Sequence, residues 1–267
     1  AWISGRKGLL YAVFYFLACG FYVRWARKGR GIDWACAPAA FLASLLSKGM
    51  AVTLPVSLLA IDLYLGRARG PKGVIEKIPF FALAIAFGLL TIAAQGKAVQ
   101  EFAAFPAHVR ALVGFHGLAF YATRAIVPVG LSAFYPYPAA GHALPLAFYV
   151  APLFAVLLAF AVARSLRGDR TVAFAGLFFV INLVLVLQFI PVGSAIMADR
   201  YTYVAYAGAG LALGRGVQLL RRSRFSRTAT PRALPAVLLV PLFAWWGLAA
   251  RERIKVWRDS VTLWTSV

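Results

Sequence analysis

The chain has 267 residues, 62% of them hydrophobic, with a mean hydropathy of +0.79. A soluble domain of that length needs far more polar surface, so composition argues against one. Its 28 Lys and Arg stand against 8 Asp and Glu, a net charge of +20. The basic residues gather in short stretches between apolar runs, which is the pattern of membrane topology and sets aside a nucleic-acid partner.

The chain opens abruptly on Ala1-Trp2-Ile3-Ser4 and ends in mid-pattern at Val267, as a piece of a longer protein would. A helix crossing about 30 Å of hydrocarbon needs about 20 apolar residues. Residues 8–23, 78–94, 145–163, 172–190, 203–220 and 233–250 are the candidates for such spans. Residues 33–65 are too many for one span. Ser47-Lys48-Gly49 interrupts them and Pro55 is expected to kink them, which predicts two short or broken helices meeting near Lys48. Within 110–131, Arg110, Gly114, Gly117, Tyr121 and Arg124 fall on one helical stripe of small or polar residues. A helix lying in the interface is favoured there over a spanning one. Cys19 and Cys36 lie in or beside apolar segments and read as small core residues. His108, His116 and His142 show no metal-ligand spacing and no paired acid, so they are not read as metal ligands.

With 33–65 crossing twice and 110–131 not crossing, residues 24–30, 66–77, 164–170 and 215–232 share one side. They carry 4, 4, 3 and 6 Lys or Arg, 17 of the 28. By the positive-inside rule that side is cytoplasmic. The other side receives Arg6, Lys7, Lys48, the 95–145 loop and Asp199-Arg200. It also receives Arg251, Arg253, Lys255 and Arg258, which run against the rule.

The most informative stretch is Met197-Ala198-Asp199-Arg200-Tyr201-Thr202-Tyr203, charged and aromatic between two apolar segments. Charges at the rim of a span are costly and mark functional positions. Two readings stay open. Arg200, Asp199 and Tyr201 hold the phosphate of a lipid-linked donor, with Tyr201 or Tyr203 as hydroxyl ligands. Alternatively they anchor the chain in the interface, Asp199 neutralising Arg200 or capping the helix that follows. Lys48 at its helix break is either a cationic cavity lining, with Arg6 as a weaker companion, or a snorkelling lysine. Tyr135-Pro136-Tyr137-Pro138 reads as a rigid extended loop, either a cavity wall with Tyr203 or a structural turn. Asp62, about one turn before Arg67, reads as half of a local ion pair. Glu101 stays unassigned.

Several of these pieces recur in one family. They are Trp2-Ile3-Ser4-Gly5-Arg6-Lys7, Leu46-Ser47-Lys48-Gly49-Met50-Ala51-Val52-Thr53-Leu54-Pro55, Leu59-Ala60-Ile61-Asp62-Leu63-Tyr64, Glu76-Lys77-Ile78-Pro79-Phe80-Phe81, Phe134-Tyr135-Pro136-Tyr137-Pro138 and the 197–203 stretch. In this order the chain resembles bacterial relatives of the TMTC proteins, multispan membrane proteins followed by tetratricopeptide repeats. These belong to the GT-C glycosyltransferases and resemble protein O-mannosyltransferases. The resemblance implies an all-α, polytopic GT-C-like bundle over 1–250, its first membrane helices missing. It also implies the opening of an extracytoplasmic repeat region over 251–267, where Trp257 and Trp264 share a helical face. It further implies transfer of mannose or another hexose from a polyprenyl-phosphate donor to a hydroxyl acceptor on protein or glycan, in a bacterial inner membrane, on its outer face. Protein partners would dock on the downstream repeats. The catalytic acids of the family lie in its first external loop, and a His-Pro-x-His-x-Glu element comes just before the position of Trp2, so both fall upstream of this chain. The rival functions are a transporter or flippase for a lipid or anion, and a non-catalytic scaffold for the repeats.

Overall fold

The computed structural model describes residues 5–67, 70–101, 106–132, 134–137, 143–189, 195–222, 233–256, 258 and 260–265. Almost all of them are helical: α1 (Arg6–Lys28), α2 (Gly31–Ser47), α3 (Leu54–Leu65), a short α4 (Pro71–Ile75), α5 (Ile78–Glu101), α6 (Ala107–Arg124), α7 (Leu146–Leu166), α8 (Arg170–Leu183), α9 (Ala205–Arg222), α10 (Ala233–Val256) and α11 (Ser260–Thr265). One two-stranded ladder joins β1 (Tyr135–Pro136) to β2 (Ala195–Met197), antiparallel, with Tyr135 opposite Met197 and Pro136 opposite Ala195.

Cross-contacts fix which end of the bundle each helix starts from. Arg24 near the end of α1 meets Asp33 at the start of α2 at 3.2 Å. Asp62 near the end of α3 meets Lys77 just before α5. Asp169, capping the start of α8 by accepting from the Thr171 and Val172 amides, meets Arg215 of α9. These pairs, with the Tyr22 hydroxyl on Asp62 and Arg170 over Gly66, gather residues 24–30, 66–67, 70–77, 164–170 and 215–222 at one end, which is the basic end. At the opposite end the Tyr203 ring packs over Gly8 of α1, and Thr91 of α5 packs over Gly49. Helices α1, α2, α3, α5, α7, α8 and α9 therefore run back and forth between two ends. Helix α6 does not. Along its length it touches Phe189, stacks His116 on Phe148 at 4.0 Å, and bonds Ala198, all at the far end. Its small stripe faces inward: a Cβ on Gly114 would stand 2.5 Å from the Phe189 ring, so only glycine fits that approach.

Residues 33–65 break where Ser47-Lys48-Gly49 places the interruption. Lys48 is extended, and a 3₁₀ turn (Gly49–Thr53) separates α2 from α3. Pro55 differs from its expected role. It sits in the first turn of α3, where its missing N–H is no loss, and so starts the helix instead of kinking it. Regular helix in 172–190 ends at Leu183 in a further 3₁₀ turn (Val184–Val186), with Gln188 beyond it at φ 59°. At the C-terminus α10 runs on to Val256, so the boundary drawn at 250 falls inside a continuous helix.

Two apolar cores share α8. Tyr15, Tyr22, Phe41, Leu54, Leu58 and Phe80 pack against Phe178, while Val113, Tyr121, Phe148, Leu183 and Ile196 pack against Phe179. Polar groups are enclosed with them. Tyr15 donates to Ser57 at 2.8 Å, Thr53 donates to the Asn182 amide oxygen at 2.9 Å, and Asn182 donates to Ser57 at 3.1 Å. Nearer the basic end, Asp62 accepts from Tyr22 at 2.8 Å and from Lys77, while Arg67 lies 3.8 Å from Asp62 and 3.5 Å from Glu76. Lys77 is 0% exposed. The outside is the reverse of a soluble surface: Leu153, Val156 and Phe160 of α7 and Ile85, Leu89 and Ile92 of α5 all stand open. Helices α1 and α7 are long and apolar enough to cross a membrane; Gly31–Ser47, Gly49–Leu65, Ile78–Ala94 and Arg170–Val186 are shorter apolar helices.

Removing one member of a buried ion pair leaves the other uncompensated, at about 3–5 kcal/mol. Asp62→Ala is expected to lower unfolding stability in detergent by that order. The joint change Asp62→Leu with Lys77→Met is expected to recover most of it. Losses that simply add in the double variant would contradict a paired role.

Candidate functional site

The 197–203 stretch is clamped on three sides. The β1–β2 ladder fixes Met197 against Tyr135. The Tyr121 hydroxyl of α6 donates to the Ala198 carbonyl at 3.3 Å and accepts from the Ala198 amide at 3.0 Å. Tyr206 of α9 in turn donates to the Tyr121 carbonyl at 3.2 Å. Residues Asp199–Tyr201 then form a 3₁₀ turn, closed by Thr202 donating to the Asp199 carbonyl at 2.9 Å. Asp199 thus opens a turn of its own and does not cap α9, which begins at Ala205.

The turn separates the two charges that are adjacent in sequence. Asp199 faces Tyr135, whose hydroxyl donates to it at 3.3 Å while also accepting from the Ser132 amide at 2.7 Å. Burial pushes the Asp199 carboxyl up to about 6, against the lowering effect of the Tyr135 hydrogen bond and of the Arg253 and Arg124 guanidinium groups. The cations whose field reaches Asp199 thus come from α10 and α6.

Arg200 lies the other way, its guanidinium 5.3 Å from the centre of the Tyr201 ring. The same ring carries the Lys48 ammonium at 5.0 Å, and Lys48 also stands 5.8 Å from the Tyr11 ring of α1. Both distances lie within cation–π range. The helix break delivers Lys48 there: its extended backbone turns the side chain out of the α2 axis and toward the 3₁₀ turn of Asp199–Tyr201. Burial brings Lys48 down to about 8, helped by the positive charges of Arg200 and Lys7. Lys48 from the α2–α3 break and Arg200 from the α9 approach therefore share one half-buried corner with two tyrosine rings, and the exposed Lys7 of α1 adds its field.

Of the residues singled out in the sequence, Lys48, Arg200 and Tyr201 come together. Tyr203 is exposed and packs over Gly8 at the edge of this corner, and Arg6 is exposed in the first turn of α1. Asp199 and Tyr135 form a hydrogen-bonded pair on the α6 side, with Pro136 exposed beside them. Glu101 is the last residue of α5, its side chain outside the described set; His142, Pro138, Trp2 and Trp257 lie outside the described residues. Sequence reasoning placed Lys7 on the same side as Lys48 and Arg200 and missed Tyr11, Tyr121, Arg124 and Arg253 as members of the site. The stripe containing Tyr121 and Arg124 carried the available signal, since a polar face on an end-lying helix has to meet something.

Tyr121→Phe removes both bonds to Ala198, and a lost hydrogen bond to buried backbone costs about 1–3 kcal/mol. The Ala198 amide is expected to exchange its hydrogen at least tenfold faster in this variant, with amides in the middle of α1 unchanged. Unaltered protection at Ala198 would show that the ladder alone holds the turn. No protein-family model, curated protein or solved structure matches the chain.

Proposed function

We propose that this chain is the multispan membrane portion of a GT-C-like glycosyltransferase that takes a sugar from a polyprenyl phosphate and passes it to a hydroxyl acceptor on protein or glycan. The membrane half of the reading is supported by the alternation of helix ends, by the apolar exterior with its enclosed hydrogen bonds, and by the Lys and Arg gathered at one end. The basic end is then cytoplasmic and the Lys48 corner faces the outer leaflet, with α6 lying along that interface.

The single observation that carries the catalytic half is the pair of cations on the Tyr201 ring, Lys48 at 5.0 Å and Arg200 at 5.3 Å. Like charges held in a half-buried corner repel one another, and a bound dianion relieves the repulsion. A polyprenyl phosphate that carries a sugar brings a single negative charge to membrane depth and becomes the dianion once the sugar has left. In the transfer step its phosphate gains charge as the bond to the sugar breaks, and Lys48 with Arg200 stabilises the leaving group. Tyr201 and Tyr11 wall the corner with ring faces that favour cations and exclude water. Deprotonating the acceptor hydroxyl falls to a carboxylate, which the family resemblance puts in a first external loop.

Each charged hydrogen bond contributes about 1.5–3 kcal/mol, so Lys48→Ala and Arg200→Ala are each expected to weaken polyprenyl-phosphate binding about 10–100-fold. Because Lys48 loses its proton near pH 8 in the unliganded protein, affinity is expected to fall as pH rises through 8, and Lys48→Arg to flatten that fall. Binding measured by calorimetry across pH 6.5–9 checks both, and full affinity in the two alanine variants would remove the site. Orientation is read separately. With Cys19 and Cys36 replaced, Arg27→Cys and Glu252→Cys are expected to label from opposite sides of sealed vesicles. Labelling of both from one side contradicts the multispan reading.

A further inference from the structure

At the basic end, far from the Lys48 corner, a cleft of about 430 Å³ opens between α3, α7 and α8. Its walls are Ala60, Leu63 and Tyr64 from α3, Leu166 from α7, and Ala173 and Phe174 from α8; Arg167 and Arg170 stand at its mouth. Tyr64 and Leu166 are 39% and 44% exposed, so the cleft opens sideways on the apolar exterior rather than along the bundle axis. Tyr64 stacks against Phe174 at 5.2 Å, which stiffens the inner wall.

Charge at the mouth is one-sided. Asp169, the nearest acid in sequence, is taken up by Arg215 and by the first amides of α8. Asp62, on the opposite face of α3, is taken up by Tyr22, Lys77 and Arg67. Arg167 and Arg170 are both exposed. An apolar slot of this size lies in the range of small-ligand sites, about 300–1,000 Å³. A slot with two guanidinium groups where apolar surface gives way to polar suits an anion carrying a hydrocarbon tail.

We propose that this cleft binds one anionic phospholipid of the cytoplasmic leaflet, the phosphate between Arg167 and Arg170 and the upper part of one acyl chain between Leu63, Leu166 and Phe174. The site is separate from the sugar-donor corner and does not depend on the transfer reaction. It rests only on the multispan part of the reading above, which puts the basic end on the cytoplasmic side. Its consequence is mechanical. A lipid seated there bridges α3 to the α7–α8 hairpin, and α3 is the helix that begins at the Lys48 break.

The test uses the chain in nanodiscs containing equal phosphatidylglycerol and phosphatidylcholine, with the lipid retained on release into detergent counted by native mass spectrometry. Wild type is expected to keep phosphatidylglycerol preferentially. Arg167→Ala with Arg170→Ala is expected to reduce that retention about tenfold. Leu166→Trp, which fills the slot from an exposed position and keeps the charge, is expected to reduce it as well. Arg27→Ala with Arg221→Ala removes two charges from the same end but away from the cleft, and is expected to leave retention within about twofold. An equal loss in that control would overturn the site in favour of general surface attraction. Displacement of the lipid by millimolar inorganic phosphate would overturn it too, since the apolar walls would then contribute nothing. Release of the chain from membranes by alkaline carbonate would sink the multispan reading and this site together, whereas the first two outcomes sink the site alone.

Discussion

The backbone stops being helical at Lys48, and most of the molecule is arranged around that stop. An extended residue followed by a 3₁₀ turn leaves polar groups that continuous helix would have satisfied. In an apolar surrounding they need partners from the same chain. The break meets part of that need locally: the Lys48 amide donates to the Ser44 carbonyl at 3.0 Å and the Ala51 amide to the Lys48 carbonyl at 3.1 Å. Side chains flanking the break then tie α1, α3 and α8 together: Ser44 donates to the Tyr11 carbonyl, Thr53 to the Asn182 amide oxygen and Tyr15 to Ser57. At Gly49 a Cβ would stand 2.9 Å from the Thr91 hydroxyl, which lets α5 close on the same point. One interruption thus selects both the packing of the inner helices and the position of the one lysine that the break exposes to the Tyr201 ring.

The break itself was legible, because Ser47-Lys48-Gly49 followed by Pro55 is local information, and so was the Asp62–Arg67 contact five residues apart. The inward stripe of α6 was legible for the same reason, being a pattern within eighteen residues. The partners were not. Thr53 and Asn182 are 129 residues apart, and nothing in either segment names the other. Lys77 reads as an ordinary cation before an apolar run until α1 and α3 close over it. Asp199 misled in the opposite way. Its sequence neighbour Arg200 looked like its partner, yet a 3₁₀ turn sends consecutive side chains in directions about 120° apart, since it holds three residues per turn. The neighbour in sequence becomes a neighbour of something else.

Arg253 had stood as a cation on the wrong side of the charge rule. Its field falls on Asp199, which supplies the physical reason for keeping it there.

The acids show how the two ends differ. Of eight Asp and Glu, Asp33, Asp62, Glu76 and Asp169 lie at the basic end, and each meets a named cation there: Arg24, Lys77, Arg67 and Arg215. Those pairs join helix to helix, so much of the charge at that end serves packing. At the far end Lys48, Lys7 and Arg200 act on one another through space, and the neighbours drawn closest to Lys48 are aromatic rings. Aromatic faces hold the Lys48 ammonium weakly, by about 0.5–2 kcal/mol. A carboxylate in the same place would neutralise the corner permanently. Acids thus serve mainly where helices are joined, while the neighbours of Lys48 are ring faces.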